Sequence, residues 1–229
     1  MEFGTPEFWL ALGQIMLINV LLSGDNAVVI ALASRNLPPQ QQKWAVLIGS
    51  AGAIVALVVL AFFAVKLLEL DYVKMVGSLL LLWVGIKLLV PEDENEELDA
   101  ASNLKGAVKT IIIADVVMSL DNVIGMTGAA KGSMLLLCIG LAVSTPVIIF
   151  GSTLLMKLME RFPIIITIGG GLLGYVAGEM LIVDGAVESW VNTHAHWLHT
   201  GAPLIGAGMV VAIGKYMAIR QTSESGHAA

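Results

Sequence analysis

Seven long apolar stretches separated by short polar breaks organise this chain, at roughly residues 8–32, 44–66, 72–90, 107–130, 133–156, 162–183 and 201–219. Each is close to the 20 or so residues a helix needs to cross the hydrocarbon of a bilayer. Two are free of charge altogether, since Trp44–Val65 and Gly132–Met156 hold no Asp, Glu, Lys or Arg. Lys87 and Lys215 interrupt the third and seventh near one end. A lysine there can reach the headgroups with its stem in lipid. The pattern predicts an all-α, polytopic membrane protein with seven transmembrane helices.

The breaks have turn chemistry. Leu37-Pro38-Pro39 closes the first stretch, and Phe162-Pro163 opens the sixth, where proline is tolerated in a first turn. The run Pro91-Glu92-Asp93-Glu94-Asn95-Glu96-Glu97 reads as a solvated acidic linker. It divides the chain into a first three-helix repeat (1–90), a cytoplasmic linker (91–104) and a second three-helix repeat (105–185). A His-containing outer loop (186–200) and a seventh helix with its tail (201–229) follow.

Composition agrees. Only 13% of the 229 residues are charged, about half the usual share in a soluble domain. Nothing resembles a basic nucleic-acid surface. The single cysteine, Cys138, lies in an apolar run and excludes a disulfide framework. Met1–Glu7 lacks the basic n-region of a cleavable leader, so the first helix is expected to stay. With the N-terminus placed outside, nine Lys and Arg fall in inner segments and three in outer ones. That bias predicts N-out, C-in.

The stretches also repeat. Asn19-Val20-Leu21-Leu22-Ser23-Gly24-Asp25-Asn26 matches Asp115-Val116-Val117-Met118-Ser119-Leu120-Asp121-Asn122 at an offset of 96. Three predicted spans separate the starts of the two motif helices, so these would run in opposite directions. The arrangement is an inverted 3+3 repeat plus one helix, a transporter construction that binds its substrate near the midplane. A fainter echo links Trp83–Lys87 to Tyr175–Glu179.

Asp25, Asp115, Asp121 and Glu179 all fall inside predicted spans, and no arginine does. Carboxylates at that depth are costly and mark function, pairing or a water-filled cavity. Carboxylates with amide, hydroxyl and carbonyl oxygens make a hard cage, suited to Mn²⁺, Mg²⁺ or Ca²⁺. At about 100° per residue, Asn19, Ser23 and Asn26 share one helix face, and Asp25 points about 120° away from Asn19. Asp115, Ser119, Asn122 and Asp121 repeat this. Either the two motif aspartates meet a different neighbour, or the helices unwind locally. Ser23-Gly24-Asp25 is a plausible break, whereas Ser119-Leu120-Asp121 has no glycine.

Other polar residues have blander readings. Ser50, Ser144 and Thr167 suit interhelical hydrogen bonds. Asp184 is expected at the outer interface, and Lys87 at the inner edge. His194, His196 and His199 could capture metal, or the loop could rest at the interface on Trp190 and Trp197. Gly169–Gly171, Gly174 and Gly178 permit close helix packing, without the Lys-Ser/Thr of a phosphate loop.

The paired Ser-x-Asp-Asn motifs, the stretches Asn19–Ala31 and Asp115–Thr127, and Arg161-Phe162-Pro163 leading to Gly174–Glu179 resemble the TerC family of bacterial integral membrane proteins. The likeness is nearest its short YjbE-like branch, within the LysE-type exporter superfamily, and covers roughly residues 5–220. It implies manganese efflux across the bacterial inner membrane. The implied metal ligands are Asp25, Asn26, Asp121 and Asn122, with Asn19, Asp115 and Glu179 as partners and Ser23, Ser119 and Lys87 as supporting or pathway residues. No catalytic cofactor is expected; the transported ion would be Mn²⁺, with Ca²⁺ or Mg²⁺ as alternatives. The expected partners are that ion and the bilayer, with no nucleic acid and a homo-oligomer open. An intramembrane aspartyl protease using Asp25 and Asp121 competes with this reading, as does a non-transporting scaffold. A serine protease does not fit, because all four histidines lie outside the spans.

Overall fold

The computed structural model describes residues 5–68, 70–90, 100–130 and 133–225. The helices, in chain order, are α1 (Pro6–Leu22), α2 (Gly24–Ser34), α3 (Pro39–Leu68), α4 (Val73–Leu89), α5 (Ala100–Ala129), α6 (Met134–Arg161), α7 (Ile164–Ile182), α8 (Glu188–His194) and α9 (Leu198–Ser225). A helix occupies each of the seven apolar stretches. The first stretch is split into α1 and α2, and α8 fills part of the loop before α9.

Among the described residues, four helical segments are long and apolar enough on their own to cross a membrane: Pro39–Phe63, Leu135–Arg161, Ile164–Ile182 and Leu198–Arg220. Two of the other stretches fall short in length. The break at Ser23 shortens α1 and α2. Helix α4 has 17 residues. Helix α5 is 30 residues long, and its side chains at residue 121 and residues 124–129 lie outside the described residues. It also starts at Ala100, inside the stretch read as linker; the acidic part of that linker, residues 91–99, lies outside the described residues.

Local chemistry sets the helix starts. Thr5 Oγ1 accepts from Phe8 N, with Pro6 in the first turn of α1. Ser133 Oγ accepts from Leu136 N at the start of α6. Pro146 sits inside α6 and removes one backbone donor. Beside it, Thr145 Oγ1 donates to Leu141 O at 2.6 Å and Ser144 Oγ to Gly140 O at 2.9 Å, back-bonds of the kind that bend a helix.

Among the described residues, two large apolar clusters, beside a small one of Leu37, Ala45 and Ala107, hold the helices together. One joins α2, α4, α5 and α7 through residues such as Ile30, Leu81, Ile111 and Leu173. The other joins α1, α3, α5 and α6 through Ile15, Leu57, Val123 and Leu137. Outside them the surface is strongly apolar: Phe62 is 74% and Phe150 72% exposed. Such a surface suits lipid, which leaves the backbone polar groups to be satisfied inside the helices.

Asp184 departs from the expectation of a solvated interfacial charge. It is 1% exposed and caps α4. Its Oδ1 accepts from Tyr72 N at 2.9 Å and Ala186 N at 3.0 Å, and its Oδ2 from Met75 N at 3.0 Å. Tyr72 has φ of +70°, the left-handed region, which costs a non-glycine residue about 1–2 kcal/mol. The bond from its N–H helps hold that conformation. Burial opposes the charged form of Asp184, but the backbone N–H donors outweigh it and hold the carboxyl below the usual carboxylate range. A carboxyl group with a lowered folded-state pKa stabilises above its unfolded value, near 4, and that contribution is lost as pH falls through the folded value. Asp184→Ala is expected to cost about 2–3 kcal/mol at neutral pH, with the difference from wild type shrinking at pH 3 or below. Thermal unfolding in detergent at the two pH values checks this; a pH-independent difference would contradict it.

Candidate functional site

The chain between α1 and α2 leaves helical geometry at Ser23 (φ −103°, ψ 11°), and α2 restarts at Gly24. The interruption falls at the glycine-bearing motif; the other motif lies within unbroken α5. Across the break the polar face persists. Asn19, Ser23 and Asn26 line a cavity of about 30 Å³ together with Asp115 of α5, Ser50 of α3 and Thr145 of α6. Apolar residues of α2, α3 and α6 complete the wall, among them Ile30, Leu57 and Leu141. The volume exceeds the 10–15 Å³ or so that one water requires, so it suits a water or a single partly dehydrated ion.

Hydrogen bonds fix part of this wall. Asn19 Nδ2 donates to Ser144 Oγ, which ties α1 to α6. Ser23 Oγ donates to Asn19 Oδ1 at 3.2 Å, bridging the break. Both polar ends of Asn19 are thus engaged. Asn26 Oδ1 and Ser50 Oγ are different: both are buried and neither has a hydrogen-bond partner. Buried polar atoms are nearly always satisfied, and exceptions call for a reason such as a bound water or ion. Asp115 adds a buried carboxylate, and none of the described lining residues is basic. Ser119 is fully buried one turn along α5, close enough to act on Asp115 electrostatically but without a hydrogen bond of good geometry.

The predicted site residues separate into groups. Asn19, Ser23, Asn26 and Asp115 come together around the cavity. Asp25 is half-buried beside it, and its charge repels that of Asp115. In the first turn of α2 its Oδ1 accepts from Asn26 N at 2.9 Å, where the positive end of the helix favours a carboxylate. Asn122 is half-buried in α5. The Asp121 side chain lies outside the described residues, and with it any pairing of Asp25 and Asp121 of the kind a two-carboxylate protease needs. Glu179 is exposed on α7 and lines no part of this cavity. Lys87 is exposed, its Nζ 5.5 Å from the Trp83 ring centroid, which fits an edge anchor.

Ser50 and Thr145 are the lining polar groups that the repeat does not reveal. Ser144 does serve as interhelical glue. Ser50 has the same sequence context, a serine in an uncharged span, yet ends with a bare oxygen in the wall. No local signal separates the two. Among the described residues no three His, Cys, Asp or Glu side chains converge. The donor set here is mixed: one carboxylate, one amide oxygen and hydroxyls.

The sequence model of the integral membrane protein TerC family matches residues 4–222. The chain belongs to the TerC family. TerC membership makes it a multi-pass integral membrane protein, in keeping with its membrane-length helices. It is 37% identical over 210 residues to the membrane protein YjbE of Bacillus subtilis (strain 168), covering 92% of this chain and 96% of YjbE. The inner membrane protein YgdQ of Escherichia coli (strain K12) is 27% identical over 176 residues, covering 69% of this chain and 74% of its own. The membrane protein YkoY of Bacillus subtilis (strain 168) is 23% identical over 238 residues, covering 93% and 73%. No solved structure matches.

Proposed function

We propose that this TerC-family protein is a secondary transporter of divalent cations, with Mn²⁺ as its substrate and export as its direction. The single observation behind this reading is the cavity lined by Asp115 together with the unpartnered Asn26 Oδ1 and Ser50 Oγ and by no basic residue among those described. A hard divalent ion would neutralise the carboxylate and satisfy both orphan oxygens at once. Oxygen donors without thiolate or imidazole favour Mn²⁺, Mg²⁺ or Ca²⁺ over Zn²⁺ and Cu⁺.

In this reading all seven long stretches cross the membrane, with α1 and α2 forming one broken span. The two motif-bearing units are oppositely oriented, as in inverted-repeat transporters, and discontinuous helices are how such folds expose ligands at the midplane. The N-terminus lies outside and the C-terminus in the cytoplasm of a bacterial inner membrane. Asn19 positions the wall, Asn26, Ser50 and Asp115 contact the ion, and Asp25 flanks it. Asp115, facing the cavity, is better placed than exposed Glu179 to carry a counter-proton.

Reconstitution tests this. Liposomes containing the wild-type protein are expected to move Mn²⁺ faster than empty ones, and to respond to an imposed pH gradient. No Mn²⁺ flux above empty liposomes would end the transport reading. Flux indifferent to the gradient would end proton coupling alone.

A further inference from the structure

The connection between α7 and α9 carries chemistry that the cavity does not use. Its backbone is closely held. Ala195 N donates to Val191 O at 2.9 Å, Leu198 N to Ala195 O at 2.8 Å, and His199 N to His196 O at 3.1 Å. Val191 and Ala195 are buried under this turn. His196 and His199 are therefore displayed from a fixed turn at the start of α9.

Their rings lie with centroids 5.1 Å apart and planes tilted by 52°. A metal–nitrogen bond of 2.0–2.1 Å places each imidazole centroid about 3.2 Å from the ion, so two imidazoles at a tetrahedral angle have centroids about 5.2 Å apart. The observed separation matches that spacing. The protonation of His199 also suits ligation. Its Nε2 lies 2.7 Å from Asn192 Oδ1. An amide oxygen only accepts, so Nε2 donates in this bond, and in the neutral imidazole Nδ1 then keeps the lone pair. An outward hydrogen bond from the far ring nitrogen is the usual way a protein orients a metal-binding histidine.

His194 is arranged differently. Its ring stacks on Trp190 at 5.7 Å, and its Nδ1 donates to Trp190 O at 3.3 Å. It is held against its own helix, so it serves as an internal control.

We infer that His196 and His199 form a two-imidazole site for a borderline divalent cation such as Zn²⁺, Cu²⁺ or Ni²⁺, with Asn192 as its positioning residue. Water completes the coordination shell, because the described residues supply no third His, Cys, Asp or Glu. Imidazole nitrogen favours these ions over Mn²⁺, Mg²⁺ and Ca²⁺. The protein thus carries two donor sets of opposite preference, oxygen in the cavity and nitrogen on the α8–α9 turn. The inference stands independently of transport.

The test uses the purified full-length protein without a polyhistidine tag, titrated with Cu²⁺ and read by electron paramagnetic resonance and calorimetry. The first equivalent should show two coordinated nitrogens. His196→Ala and His199→Ala should each weaken it at least tenfold, and Asn192→Ala by about 10–100-fold. His194→Ala and His227→Ala should bind as wild type does, and excess Mn²⁺ should not displace the copper. Unchanged binding in the His196→Ala/His199→Ala double variant, loss that tracks His194 or His227, or ready displacement by Mn²⁺ would each overturn the assignment. Matching thermal midpoints would show that the variants remain folded.

Discussion

Asparagine in place of Asp115 is expected to make the metal-free protein more stable and to weaken Mn²⁺ binding by at least a hundredfold. The opposite signs follow from one cause. The carboxylate is buried beside a second carboxylate, Asp25, in a wall without basic residues. A buried charge without a counter-charge costs several kcal/mol even after relaxation. Asparagine keeps the volume and removes the charge, so a gain of about 1 kcal/mol, or 2–4 °C in midpoint for a chain of this size, is expected at alkaline pH. Metal binding moves the other way, because Asn supplies a weaker oxygen and no charge. Losing a group that merely orients a ligand costs about 10–100-fold in affinity, so losing a ligand should reach or exceed the upper figure. Thermal unfolding without metal, beside Mn²⁺ calorimetry, separates the outcomes. A lower midpoint with unchanged affinity would make Asp115 a structural residue and remove the cavity from consideration.

Gly174→Ala and Gly206→Ala should each destabilise the bundle by about 3 kcal/mol, the upper end of the usual overpacking range. Helices α7 and α9 meet through Gly174 and Gly178 on one side and Ala202 and Gly206 on the other. A Cβ at Gly174 would run into the carbonyl of Gly206, one at Gly178 into that of Ala202, and one at Gly206 into that of Gly174. The obstacles are backbone atoms, which cannot rotate aside as a side chain can. The helices would have to part, losing close contacts that stabilise helix pairs where no hydrophobic effect acts. Gly208 of α9 has nothing within 4 Å of its would-be Cβ. Gly208→Ala should therefore be neutral or stabilising, since alanine gains up to about 1 kcal/mol over glycine in a helix. Equal midpoints for Gly174→Ala and Gly208→Ala would show that the two helices do not depend on this approach.

The glycine spacing illustrates how far sequence reading reaches. Gly174 and Gly178 lie four apart, one helical turn, and mark a close-packing face. Nothing in that spacing names α9 as the partner, because two helices meet by surface fit between segments distant in the chain. Asp184 shows the same limit from the other side. Its position after an apolar run suggests a solvated interfacial charge, but the fold brings the start of α4 onto it, and three backbone donors become its solvent.

By itself the sequence determined the long apolar helices and the polar face of the first motif, and marked Ser23-Gly24-Asp25 as one candidate break. These are local properties: in lipid each helix must satisfy its own backbone, so apolar length writes the element directly, and the 100° turn per residue puts Asn19, Ser23 and Asn26 on one side. Tertiary structure decided which distant groups share that side. It brought Asp115, Ser50 and Thr145 to the face of α1 and α2, put Asp25 at a helix start beside the cavity, and left Glu179 exposed on α7. Those outcomes depend on how helix surfaces interlock across the bundle, and a periodicity within one helix carries no information about its neighbour.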